Sequence, residues 1–343
     1  MRKLLNTLFV LSEDSYLSLE NENVVVLCDK EKRGQYPLSI LESILGFSYK
    51  GASPALMGAC ADRGISLSFF TPRGKFLART CGEDRGNVLL RKQQYRVSDD
   101  DTKSCMIARN MIFGKVFNSR WTLERFTRDH TMRVDVEKLK SVSKDMYDSL
   151  DGISKATDLN SLRGMEGNAS SLYFSVFDDL ILNQKDDFYF RGRNKRPPLD
   201  NVNAMLSFAY TLLANDCGAA LEGVGLDSYV GFMHRDRPGR ASLALDLEEE
   251  LRSPVADRLV LSLINKKIIQ SRHFVSQQNK AVILNDDGRK IFLNAWQEHK
   301  REEIKHPFLQ EKISWGLVPY VQALLLARYL RQDIDGYPMF LWK

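Results

Sequence analysis

Leu159-Asn160-Ser161-Leu162-Arg163-Gly164-Met165-Glu166-Gly167-Asn168-Ala169, continuing through Tyr173, Val176 and Leu180, carries its apolar residues at steps of three and four. That spacing predicts an amphipathic helix, which we place over 153–182. Glu166 falls on the apolar stripe, where a core residue is expected. A carboxylate there is costly unless a cation or a hydrogen-bond donor compensates it. Downstream, His234, Asp246 and Glu249 are suitable partners.

Outward from this helix the pattern stays helical on both sides. Asn87–Arg96, Met106–Arg128 and Val134–Leu150 precede it, with Asp99-Asp100-Asp101 as a polar break. Asp200 is placed to cap a further helix through Asn203 and Tyr210, and residues 243–330 read as helical again. Before residue 87 the character differs. Leu4–Leu11, Tyr16–Leu19, Val24–Cys28, Ile65–Phe70 and Lys75–Ala78 read as strands, and Glu20–Asn23 as a hairpin turn. Pro37–Phe47 is a further apolar segment. One short helix intervenes, with Ser53 as N-cap, Pro54 at its first position and Gly64 as its stop. The expected fold is therefore α+β: a β-rich domain over 1–86, then an all-helical domain over 87–343.

The 343 residues suffice for two such domains. Forty-nine Lys and Arg against 44 Asp and Glu leave a charge of +5, which permits a polyanionic partner without requiring one. Five scattered cysteines without a C-x-x-C pair argue against a disulfide framework or structural zinc, and suit a reducing cytoplasm. Asn6 and Thr7 interrupt the first apolar run and no cleavage site follows, so a signal peptide is not expected. No stretch is long and apolar enough to span a bilayer.

His234 lies among glycines and a proline in Gly231–Arg240, the setting of a loop or helix end. In Ser242–Arg252, Leu243, Leu247 and Leu251 mark a buried stripe. Asp246 and Glu249 lie one turn apart, as do Asp246 and Glu250. Taken alone these acids read as a solvated face and the histidine as a capping group. Together, a few carboxylates and one imidazole suit a site for Mg²⁺ or Mn²⁺ acting on a phosphodiester.

At this point the chain resembles the CRISPR adaptation integrase, the Cas-one family, and within it the subtype I-C branch. The resemblance runs over essentially the whole length. It is carried by Gly51–Met57, Gly86–Arg91, Arg163–Gly167, Pro197–Asn203, Gly231–His234 and Ser242–Glu249, followed by Arg252 and Asp257. It implies dimerisation through the N-terminal part and a metal site formed by Glu166, His234 and Glu249 with Asp246 beside them. Asp246 would orient His234 or hold a second metal. Ser253 stands between Arg252 and Pro254, where the family usually joins Arg to Pro directly. That leaves Glu250 as an alternative to Glu249, with the three-residue step from Asp246 favouring Glu249. The resemblance further implies a complex with the small Cas-two protein, an auxiliary trimming nuclease, and double-stranded DNA as both fragment and repeat array. The reaction implied is attack of a DNA 3′-hydroxyl on a repeat phosphodiester. A stand-alone metal-dependent endonuclease using the same residues is the alternative, and a non-catalytic scaffold the third reading.

Phe188–Arg196 sets four cations after three aromatics, a pattern suited to phosphates and unpaired bases or to an anchored solvated loop. Tyr189, Arg191, Arg193, Lys195 and Arg196 are accordingly taken as DNA-contacting, with Asn203, Tyr210, Arg235 and Arg237. The uncharged tail Gly336–Trp342 either docks onto a partner or folds back on the helical domain.

Overall fold

The computed structural model describes residues 6–82 and 87–343. Leu4 and Leu5 at the start of the first expected strand, Gly86 and the 86/87 boundary lie outside them.

The chain divides into two compact units. The first contains strands β1 (Thr7–Val10), β2 (Ser15–Glu20), β3 (Asn23–Cys28), β4 (Glu31–Pro37) and β5 (Ser43–Gly46), helix α1 (Pro54–Arg63), and strands β6 (Ser66–Phe70) and β7 (Phe76–Arg79). One sheet has the order β1-β5-β6-β7, parallel except for the β6–β7 hairpin; the other is the antiparallel meander β2-β3-β4. The β2–β3 turn places Asn21 and Glu22 at φ 45° and 62°, the left-handed pair that a tight hairpin demands. Helix α1 begins where Ser53 accepts from the Leu56 amide at 3.2 Å and ends at Gly64, φ 64°. Leu17, Val24, Ile44, Leu56, Cys60 and Leu67 form the core between sheets and helix.

The second unit begins with α2 (Val88–Ser98), α3 (Asp101–Asp129), α4 (Val136–Ser154), α5 (Leu159–Ser175), α6 (Asn201–Gly223) and α7 (Ser242–Glu249). A π-type turn over Arg252–Asp257 leads into α8 (Arg258–Asn265), then β8 (Phe274–Ser276) and β9 (Val282–Leu284) pair. Helix α9 (Asp286–Arg301) groups with the first unit, although its position in the chain assigned it to the helical part. The chain closes with the hairpin β10 (Glu303–Lys305) and β11 (Lys312–Ser314), then α10 (Val318–Leu330).

Three expectations change. The helix predicted over 153–182 is two: α4 ends at Ser154, and Asp158 caps a new start by accepting from the amides of Asn160 at 3.1 Å and Ser161 at 2.8 Å. Residues 243–330 are interrupted by β8–β11, each of three residues and too short to show a period. Asp100, taken as part of a loop, is the N-cap of α3. Among the described residues no helix is long and apolar enough to cross a membrane.

Candidate active site

Three segments of the second unit bring the acid residues together. Helix α5 supplies Glu166, the loop before α7 supplies His234, and the last turn of α7 supplies Glu249. Glu166 is not buried in the core as its place on the stripe implied. Leu159, Leu162, Ala169 and Tyr173 are buried, while the Glu166 side chain stays 25% exposed and faces a cavity. Its Oε1 accepts from Ser170 Oγ at 2.8 Å.

Asp246 has no free oxygen. Its Oδ2 accepts the amides of Phe232 (2.6 Å) and Met233 (2.9 Å); its Oδ1 accepts the His234 amide (2.9 Å) and His234 Nδ1 (2.6 Å). It therefore shapes the 231–234 loop and aims the imidazole, a role that leaves no capacity for a second metal. The loop fits because residue 231 is glycine: a Cβ there would meet Asp246 Oδ2 at 2.8 Å and Ser242 Cβ at 2.9 Å. With Nδ1 engaged, His234 Nε2 faces Glu249 Oε1 at 4.0 Å. Desolvation opposes charge on this ring, but the Asp246 carboxylate outweighs it and raises the imidazole pKa above its ordinary value.

Glu249 and Glu250 part company. Glu249 turns to the site and is paired with Lys115 Nζ at 2.8 Å and Arg252 Nη1 at 2.7 Å. Burial works to raise its carboxyl, yet Arg252, then Lys115 and His234, hold it at about 2. Glu250 points the other way, with no cation on it among the described residues, and burial pushes it up to about 7. Glu248, fully buried, is bound by Arg252 Nε at 3.1 Å.

Lys115, which sequence reasoning missed, is the centre of the arrangement. It projects from α3 and its ammonium bridges Glu166 and Glu249. Among the described residues no three acid, histidine or cysteine side chains are grouped as a ready metal cage. The donor set nonetheless suits a divalent ion. Two carboxylates already share one cation, and the Nε2 side of an oriented imidazole lies beside Glu249.

A cavity of about 600 Å³ opens beside this centre, lined by Lys115, Glu166, Arg193, Lys195, Tyr210 and Arg252 among others. Tyr210 donates to Asp257 Oδ1 at 2.6 Å, and Tyr173 to Asp257 Oδ2 at 3.1 Å; burial holds that carboxyl up at about 6. Arg252 and Arg193 lie over the Tyr210 ring at 5.0 and 5.3 Å. Lys195 is exposed, but desolvation at the cavity wall, then Arg252 and Arg193, lower its pKa. Cations so crowded leave room for an anion.

The remaining expected DNA contacts divide. Tyr189 is exposed with Arg191 stacked at 5.0 Å, and Arg191 lines the cavity. Arg196 is exposed and does not line it. Asn203 is fully buried: its Oδ1 accepts from Arg193 (2.7 Å) and the Asn194 amide (3.1 Å), and its Nδ2 donates to Gly192 O (2.9 Å) and Asp200 (2.8 Å). It anchors the basic loop and is not free to touch DNA. Arg235 lines a separate groove with Arg163 and Asn160, and Arg237 is exposed. The π-type turn accommodates Ser253, whose Oγ lies 2.8 Å from Thr122 Oγ1, and keeps Arg252 and Asp257 on the cavity.

The model of the family "CRISPR associated protein Cas1" matches residues 8–298. The chain belongs to the Cas1 family. It is 47% identical, over the full length of both chains, to "CRISPR-associated endonuclease Cas1 1" of Chlorobaculum tepidum. In fold it is similar to a casposase bound to its integration product, with a TM-score of 0.83 at 21% identity, covering 98% of this chain and 94% of the other. It is also similar to a chain of a Cas6-RT-Cas1–Cas2 complex, with a TM-score of 0.81 at 20% identity, spanning all of this chain and 36% of that one. These last two likenesses concern the Cas1 fold alone.

Proposed function

We propose that the chain is a metal-dependent DNA integrase that joins short DNA fragments to a CRISPR repeat array. The observation that carries this is the Lys115 ammonium bridging Glu166 and Glu249, with His234 Nε2 4.0 Å from Glu249 and with Lys115 and Glu166 on the wall of a cation-lined cavity. A Mg²⁺ or Mn²⁺ ion bound by these three side chains would lower the pKa of an attacking hydroxyl and offset charge at phosphorus. The chain's own groups do the rest. Asp246 keeps His234 oriented. Arg193 and Lys195 hold the non-bridging phosphate oxygens. Arg252 keeps Glu249 ionised. The fragment's 3′-oxygen forms a bond to phosphorus as the repeat's P–O bond breaks, and the proton lost by the first oxygen is balanced by one gained by the departing oxygen. The casposase likeness and the cation-rich cavity support this reading, and the Cas1–Cas2 likeness supports a Cas2 partner. We assign the chain to the subtype I-C branch on the motifs quoted above, and extend the reading to a homodimer formed through the N-terminal unit.

Water in place of the fragment hydroxyl would make the same site an endonuclease, the activity named for the Chlorobaculum relative. The products separate the two. Incubation of labelled oligonucleotide with a repeat-containing plasmid, Mn²⁺ and Cas2 is expected to give covalently joined strands, lost in Glu166→Ala. Cut but unjoined plasmid would favour the endonuclease, and joining that survives Glu166→Ala would refute the site.

A further inference from the structure

The uncharged tail, which the sequence left between docking and folding back, folds into the second unit. Tyr337 is 2% exposed and Phe340 fully buried. Phe340 packs its ring on Trp315 and His306, with centroids at 5.9 and 5.6 Å, and Trp342 lies between the guanidiniums of Arg125 and Arg258 at 3.8 and 4.2 Å. Polar contacts are as specific. Tyr337 Oη donates to Glu250 Oε1, which also accepts from Gln322 Nε2 at 2.9 Å. The Phe340 amide donates to Glu250 Oε2 at 2.8 Å. Asn118 on α3 then ties the layers together. Its Nδ2 donates to the carbonyls of Glu250 (2.7 Å) and Phe340 (2.8 Å), and its Oδ1 accepts the Trp342 amide (2.9 Å).

Each anchor is a near neighbour of a site residue. Glu250 follows Glu249. Gly114, against which Glu250 packs, precedes Lys115; a Cβ on Gly114 would lie 3.1 Å from Glu250 Cβ and Oε2 and 3.4 Å from Phe340 O. So α3, α7 and the tail are in contact behind the residues that face the cavity. A buried carboxylate without a cation adds little stability and costs desolvation. What it supplies is direction, because fixing Glu250 fixes the helical turn that presents Glu249.

We propose that Tyr337–Trp342 is a positioning strap for the catalytic centre, setting the separation between Glu249 on α7 and Lys115 on α3 through Glu250 and Asn118. The proposal rests on the reading of Glu249 as a metal ligand. Tyr337–Trp342 do not line the cavity; Tyr337 and Glu250 act through Glu249.

The test uses the full chain as wild type, Tyr337→Phe, Glu250→Gln and the double variant. Three quantities are measured: the Mn²⁺ dissociation constant by paramagnetic resonance titration, the thermal midpoint in chelator, and kcat and KM for strand joining. Partners one step behind a metal ligand typically change affinity or rate by about 10- to 100-fold. Tyr337→Phe is expected to weaken Mn²⁺ binding by about tenfold and lower kcat, with KM for the oligonucleotide unchanged. The double variant should be no worse than Glu250→Gln, because both changes act through one path. A lowered thermal midpoint with wild-type Mn²⁺ affinity and kcat would reduce the strap to a structural element and overturn the proposal, as would additive losses in the double variant. If wild type and Glu249→Ala bind Mn²⁺ equally poorly, the metal reading fails instead. The strap is then judged on joining rate alone, and an unaltered rate in Tyr337→Phe overturns it.

Discussion

Lys115→Met removes the one cation shared by Glu166 and Glu249, and its consequences depend on whether metal is present. The three side chains are 12%, 25% and 5% exposed, so the pair is largely out of water. Removing one partner of a buried pair costs about 3–5 kcal/mol. Here Arg252 stays on Glu249 at 2.7 Å and Glu166 is partly hydrated, which puts the cost near the low end, about 3 kcal/mol. For a unit of this size that lowers Tm by roughly 6–12 °C at roughly 2–4 °C per kcal/mol. The assay is thermal unfolding in EDTA and again across a Mn²⁺ titration. On the proposed metal reading a divalent ion would replace the missing ammonium, so the gap should close as Mn²⁺ rises, and the variant should bind Mn²⁺ more tightly because no ammonium must be displaced. A variant as stable as wild type in EDTA would refute the view that Lys115 stabilises these carboxylates. A gap that Mn²⁺ leaves unchanged would refute the view that ammonium and metal share one place.

Other consequences follow from the same geometry. His306 is buried, its Nε2 3.2 Å from Gln322, and burial lowers its pKa to about 4. The unfolded chain therefore takes up a proton first as pH falls. The His306 contribution to stability should fall from about pH 6.5 down to about 4 by up to ~1.4 kcal/mol per pH unit, read as the difference in pH slope between wild type and His306→Gln in denaturant melts, since Glu250 and Asp257, raised to about 7 and 6, act in the opposite sense in both. Gly231→Ala would drive a methyl into Asp246 and Ser242, and is expected to cost about 1–3 kcal/mol and distort His234, read by denaturant unfolding and Mn²⁺ affinity. Lys195→Ala should weaken DNA binding across sequences and reduce the slope of log K against log salt by about 1 in fluorescence anisotropy.

Much of this was visible in the residues. Ser53 and Asp200 are caps because a short oxygen-bearing side chain precedes an apolar period, and that signal is local; Asp158 carries the same signal but falls inside the single helix expected over 153–182. The phase of the α5 stripe was read correctly, but phase does not distinguish a core position from the wall of a cavity, so Glu166 was placed too deep. Strand β4 was missed because Glu31, Lys32 and Arg33 face solvent on a sheet edge and show no apolar alternation. Lys115 gave no sign: one lysine in a long helix looks like any surface lysine until the carboxylates from α5 and α7 arrive. Asn203 erred in the opposite direction. It looked available for DNA, whereas the basic loop folds back on it and uses both ends of its amide. Between Glu249 and Glu250 the three-residue step from Asp246 favours Glu249, the one paired with Lys115 and Arg252. The partner of the other, the strap some 90 residues later, is a long-range contact that no local pattern carries.

The central claim is that Glu166, His234 and Glu249 together hold the divalent ion whose place the Lys115 ammonium takes here. Anomalous diffraction from crystals soaked in Mn²⁺ measures this directly. The account predicts one strong peak bounded by the Glu166 and Glu249 carboxylates and His234 Nε2, with the Lys115 ammonium moved aside and Glu250 still bound to Tyr337. A peak coordinated by Glu250 or Asp246, or Lys115 still bridging Glu166 and Glu249 at saturating Mn²⁺, would contradict it.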